Sequence, residues 1–233
     1  MGCMEVPPRS VPEHVSSPLR IGFLASHNAT DARAIVDAIH HGQLNALPVV
    51  MISNNSSATA LEYARSLSPI PFNAIHMSEK SDRRQKTPDE VDQLIAKTLK
   101  EHEVDLVLCV GYMKKIGPKT LEAFEGRIFN VHPSLLPDFP GLWGDSVHQA
   151  VIQRRLTSPE DKKTQATGAT IHHVTTEYDE GEIALQAAIM PPISPDDTLS
   201  SIKERVQTLE KVLFIQLVDE IANGIRTVPQ RRS

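Results

Sequence analysis

Hydrophobic positions along the chain fall into short blocks that switch between two periods. Apolar runs at Arg20 to Ser26, Leu47 to Ile52, Phe72 to His76, Asp105 to Val110 and Arg127 to His132 read as short, buried strands. Between them, Ala32 to His40, Ala58 to Ser66, Pro88 to His102 and the short Pro118 to Phe124 have helical spacing, and Pro88 sits where a first helical turn tolerates proline. Strands alternating with helices, without tight hairpins, predict an α/β fold. The expected architecture is a doubly wound, mostly parallel sheet covered by helices on both faces.

The pattern changes after Pro137. A helix is expected around Ser146 to Arg155, then an exposed hydrophilic loop from Leu156 to Thr167. Two further strands, about Ala169 to Thr175 and Ile183 to Met190, are joined by a turn-rich link and can form an antiparallel pair near the C-terminal part. A last helix begins near Asp197, with Ile202, Val206, Leu209, Val212, Leu213, Leu217 and Ile221 as its core stripe. Residues 19–226 are therefore expected to form a single domain, flanked by a disordered Pro/Ser-rich N-terminal tail over 1–18 and a C-terminal tail over 227–233.

A hydrophobic fraction of 40% in 233 residues is ample for one large core. The net charge of −5 offers no basic field for a nucleic-acid backbone, and the pairs Arg83-Arg84 and Arg154-Arg155 read as solvated surface. No apolar run reaches the length of a membrane span. Cys3 and Cys109 imply no disulfide framework, Cys109 being placed inside a buried strand, and a cytoplasmic location is expected. The partners expected are small-molecule substrates, with no nucleic acid and no membrane; monomer and homodimer both remain open.

Chemistry concentrates at the end of the fifth strand, in Asn130-Val131-His132-Pro133. Alternate strand residues point the same way, so Asn130 and His132 project together, an amide donor beside an imidazole that donates, accepts or carries a proton near neutral pH. The segment from His172 to Gly181 adds a carboxylate on a turn directly after a strand. Gln207 and Glu210 lie three apart on one face of the last helix. The adjacent pairs His40-His41 and His172-His173 lack the partners of a metal site, so no metal is expected. His148 reads as a helix-surface residue.

In this order the three segments resemble the folate-dependent formyltransferases, over nearly everything from Leu19 to Gly224. The resemblance implies transfer of a formyl group from 10-formyltetrahydrofolate, a co-substrate, to the amine of glycinamide ribonucleotide in de novo purine synthesis. It implies Asn130, His132 and Asp179 as the catalytic trio. The loop Ser26, Asn28, Ala29, Thr30 would hold the substrate phosphate on its backbone amides, with Gln207 and Glu210 near the ribose. Met113, Lys114, Lys115, Ile116, Val131 and His172 would line the folate side.

The chain also departs from that family. Its first loop, Ser26-His27-Asn28-Ala29-Thr30-Asp31, lacks two glycines that the resemblance predicts, and a side chain costs energy wherever φ is positive. Asp31 reads either as a helix cap or as an anion that alters specificity beside the phosphate. Lys114 stands where the family has arginine, keeping the charge without the bidentate geometry. Residues 154–165 read as a surface insertion. Two alternatives follow: an amino sugar or other small amine as acceptor, or a non-catalytic folate-binding protein.

Overall fold

A computed structural model describes residues 17–67, 69–80, 85–157 and 166–231. The elements run β1 (Leu19–Ala25), α1 (Thr30–His40), β2 (Ala46–Ser53), α2 (Thr59–Ser66), β3 (Asn73–His76), α3 (Pro88–Glu101), β4 (Leu106–Cys109), α4 (Pro118–Ala123), β5 (Ile128–His132), α5 (Asp145–Thr157), β6 (Gly168–His173), β7 (Ile183–Ala188) and α6 (Leu199–Ala222). One seven-stranded sheet has the order β3-β2-β1-β4-β5-β6-β7. The first five strands are parallel, and β6 and β7 each run antiparallel to the neighbour before them. The doubly wound sheet with an antiparallel pair is the architecture expected from the alternation of periods; that β5 and β6 also pair antiparallel was not.

Strand alternation divides the core into two layers. Ile21, Phe23 and Ala25 of β1 pack with α1, α2 and α6, whereas Leu24 packs on the other face with Leu99 of α3, Val107 and Cys109. Such strands are buried on both sides because each face carries helices. Helix α3 starts in a reciprocal capping box between Thr87 and Glu90, with proline in its first turn. Asp92, buried on α3, accepts from Lys119 N, Thr120 N and Thr120 Oγ1 at 2.7, 3.1 and 2.5 Å, and so caps the first turn of α4.

Several expectations change. On α6, Val212 is exposed, about 100° round the helix from Leu213, and Phe214 and Val218 are buried in the core instead. Arg154 and Arg155 are not both solvated: Arg155 is buried, while Arg154 lies 2.6 Å from Asp138 Oδ2 and stacks on Phe139. The pair Arg83-Arg84, most of the insertion at 154–165, residues 1–16 and residues 232–233 lie outside the described residues. No described helix is long and apolar enough to cross a membrane.

Candidate functional site

Parallel strands of an open sheet deliver ligand-binding loops at their carboxyl ends. Here the loops after β1, β4 and β5, the segment after β6 and one face of α6 enclose a cavity of about 810 Å³. That volume suits a small-molecule site. Asn130 and His132, at the end of β5, stand opposite His172 and Thr170 of β6 in the antiparallel register. The segment beyond β6 then folds back over them. Its return is fixed at Gly181, where an added Cβ would lie 1.7 Å from the His173 carbonyl oxygen, so only glycine passes.

Asp179 on this segment adopts a left-handed φ of 58° and turns its carboxylate into the cavity. Oδ2 lies 3.3 Å from His132 Nδ1 and accepts from the Gly141 amide at 2.8 Å; Oδ1 lies 3.3 Å from His172 Nε2. Burial alone would raise the Asp179 carboxyl, but hydrogen bonds from His132, His172 and Gly141 outweigh it and hold the group far below the usual carboxylate range. The ionised form is therefore favoured.

His132 is 2% exposed and held from both ends. Its Nε2 lies 3.2 Å from the Asp138 carbonyl oxygen, which also accepts from Ser134 Oγ, and the Arg154 contact anchors the Asp138 side chain. Both ring nitrogens thus face acceptors, an arrangement that the doubly protonated imidazolium satisfies. His172 donates from Nδ1 to the His173 carbonyl at 2.9 Å, and its Nε2 is 3.3 Å from Asn130 Nδ2. A neutral His172 accepts from Asn130; a protonated one donates to Asp179.

At the other end of the cavity, Ala29 is the N-cap of α1 and sits at φ 48°, the left-handed region where the missing glycine was expected to matter. The loop is tied down on several sides. Thr59 Oγ1 donates to Asn28 Oδ1 and Ala60 N donates to the His27 carbonyl. Asn28, Ala29 and Thr30 line the cavity, as do Gln207 and Glu210 from α6. Ser26 does not. Its hydroxyl lies behind the wall, donating to Asn54 Oδ1 at 2.6 Å and accepting from Met113 N at 2.7 Å, which joins the β1 and β4 loops.

Asp31 is not the helix cap, because the cap position falls two residues earlier, at Ala29. Its carboxyl is 7% exposed, lines the cavity, and leaves Oδ1 without a hydrogen-bond partner. Burial pushes Asp31 up to about 6 against the opposing charge of Lys211. Burial, then the neighbouring Asp31, raises Glu210 well above its ordinary value. Two buried carboxyls sharing one wall cannot both ionise cheaply.

Met113, Lys114, Lys115, Ile116 and Val131 also line the cavity. Lys114 pairs with Glu79 and Lys115 with Glu177, each at 3.9 Å, so both ammonium groups stand at the rim with exposed partners. His148, expected on the surface, is 3% exposed and lines the cavity with Nδ1 unpartnered; burial lowers its pKa first, with His132 among the further causes. Its place was readable from Val147, His148, Val151 and Arg155, which share helical spacing and are all buried. Among the described residues, no cluster of His, Cys, Asp and Glu forms a metal-holding group.

The formyl transferase family model matches residues 19–218. Phosphoribosylglycinamide formyltransferase of Haemophilus influenzae is 31% identical over 205 residues, covering 88% of this chain and 88% of that protein. The chloroplastic phosphoribosylglycinamide formyltransferase of Vigna unguiculata is 32% identical over 204 residues; the match takes in 87% of this chain and 60% of that relative's length. Among solved structures, glycinamide ribonucleotide transformylase 1 from Symbiobacterium toebii is similar at a TM-score of 0.77 and 31% identity, with 93% of each chain covered.

Proposed function

The chain belongs to the formyl transferase family, and from that membership we propose that it transfers the formyl group of 10-formyltetrahydrofolate to the primary amine of glycinamide ribonucleotide, a step of purine biosynthesis. Residues 19–226 act as one formyltransferase domain. The observation that carries the reading is the single carboxylate of Asp179 meeting both His132 and His172, with Asn130 beside them.

The neutral amine adds to the formyl carbon, and negative charge grows on the formyl oxygen. Asn130 donates an amide hydrogen to that oxygen, and His132, as imidazolium, supplies a charge-assisted second contact. Both groups lie on one side of β5 and need no reorganisation to act together. Asp179 holds the imidazole of His132 in its orientation, 3.3 Å from Nδ1. It also organises a water that moves a proton from the attacking amine towards the folate nitrogen that departs. Arg154 contributes indirectly, by anchoring Asp138, whose carbonyl receives the far side of His132.

Met113 and Ile116 give the folate an apolar wall, while Lys114 and Lys115 offer positive charge at the rim. The first loop and α6 take the acceptor: backbone amides at the start of α1 face its phosphate, and Gln207 and Glu210 its ribose hydroxyls. The test is to incubate purified protein with 10-formyltetrahydrofolate and glycinamide ribonucleotide and to follow release of the deformylated folate. Turnover that requires both compounds supports the assignment; folded protein with no turnover removes it.

A further inference from the structure

We infer that Asp31 is a specificity-determining residue: with Glu210 it forms a carboxyl pair that takes up a proton when an anionic acceptor docks at the N-terminus of α1. The inference rests on the acceptor reading above, and it concerns a side chain to which that reading gives no part. Asp31 stands on the first turn of α1 and Glu210 on α6, 7% and 8% exposed, and both form the wall of the same cavity. Asp31 Oδ1 is shielded from solvent yet has no hydrogen-bond partner within the protein. An oxygen in that position is left for a ligand to satisfy.

The form of the carboxyl decides which ligand is accepted. Protonated, Asp31 donates an O–H to an anion's oxygen. Ionised, it repels that oxygen in a setting of low dielectric, beside backbone amides that would otherwise attract it. The charged and titratable groups around the pair are Lys211 and, about two turns earlier on α6, Lys203, with His27 from the β1–α1 loop. Lys203 is held by Asp145 at 2.6 Å, and Arg33 is directed to the Asn28 and Thr59 carbonyls. Lys211 opposes both carboxyls, joined at Asp31 by that residue's own backbone amide, and burial outweighs them.

Above about pH 6 the free protein has released the Asp31 proton. A docking anion raises the pair's proton affinity further, so the complex holds a proton that the free protein has released. Acceptor affinity is then level below about pH 6 and weakens above it, by up to about tenfold per pH unit until the proton affinity of the complex is passed. The acceptor's phosphate titrates in the same window, but Asp31→Asn shares that contribution, so the difference between the two proteins isolates Asp31.

Titration calorimetry of the full chain with glycinamide ribonucleotide, at pH 7.5 in two buffers of different ionisation heat, counts the protons. The expected result is up to one more proton taken up per acceptor by the wild type than by Asp31→Asn. The variant should bind roughly tenfold tighter at pH 8, an effect seen in acceptor KM and its pH profile. Glu210→Gln removes the neighbouring carboxyl and should also reduce uptake. Equal proton counts in wild type and Asp31→Asn, with transfer intact, overturn the inference and leave the acceptor reading standing. If neither protein binds or formylates the compound, the acceptor reading falls and takes the inference with it. Should Asp31→Asn fail to fold by circular dichroism, the wild type alone decides: no uptake beyond that of the acceptor's own phosphate overturns the proposal.

Discussion

Two buried carboxyl sites share one cavity and are driven in opposite directions. At the β5–β6 end, Asp179 meets His132, His172 and the Gly141 amide and is held ionised despite its burial. At the α1–α6 end, Asp31 has an oxygen with no donor and Glu210 for a neighbour, and both are pushed towards the neutral acid. Desolvation is the first cause at both ends. What separates them is the donor supply: three donors offset the cost at Asp179, whereas at the other end Asp31 keeps an oxygen without a donor and its charge deepens the cost at Glu210. A carboxylate's charge in a cleft is thus set less by its depth than by what was folded up against it.

The strongest way to break this comparison is at the charged end. Asn130→Ala and His132→Ala should each lower turnover by about a hundredfold to a thousandfold, the usual cost of losing one oxyanion donor. Steady-state kinetics with folding checked by circular dichroism measures it; near-wild-type turnover in either variant would falsify the assigned roles.

The next effect is on stability, where the two ends should have opposite slopes with pH. Asp179 has a depressed folded-state pKa, so its contribution is present above its unfolded value near 4 and fades as pH falls below it. Asp31, raised to about 6, contributes below its unfolded value and loses that contribution as pH rises from about 4 through 6. Asp179→Asn should therefore flatten the acid limb of a melting-temperature profile. Asp31→Asn should remove a loss on the order of 2–3 kcal/mol between pH 4 and 7. Parallel profiles for the two variants would dissolve the contrast.

The smallest change sharpens the picture of the acceptor loop. Ala29→Gly relieves a left-handed alanine but adds freedom to the unfolded chain, and a net gain of about 0.5 kcal/mol is expected from chemical denaturation. A loss would mean that the buried methyl group packs better than its backbone costs.

Much of this was legible in the residues. Strand alternation and helical spacing gave the two-layered α/β sheet, and Asn130, His132 and Asp179 do converge. Other features were hidden for identifiable reasons. Asp31 suggested a cap because capping is read from side-chain type, whereas the cap is fixed by backbone dihedrals, here at Ala29. His148 and Arg155 read as surface because polar residues usually are, yet α5 buries them on the face of Val147 and Val151. Ser26 appeared to face a ligand but joins two loops instead, a contact between residues 87 apart that no local pattern encodes.

The glycine at 181 carries a consequence of another kind. Because its neighbour's carbonyl fills the space where any side chain would begin, the stretch from 174 to 180 is metered at its far end. Insertions or deletions there would slide Asp179 along the tether and away from both imidazoles, so over evolutionary drift this span should keep its length more faithfully than its letters.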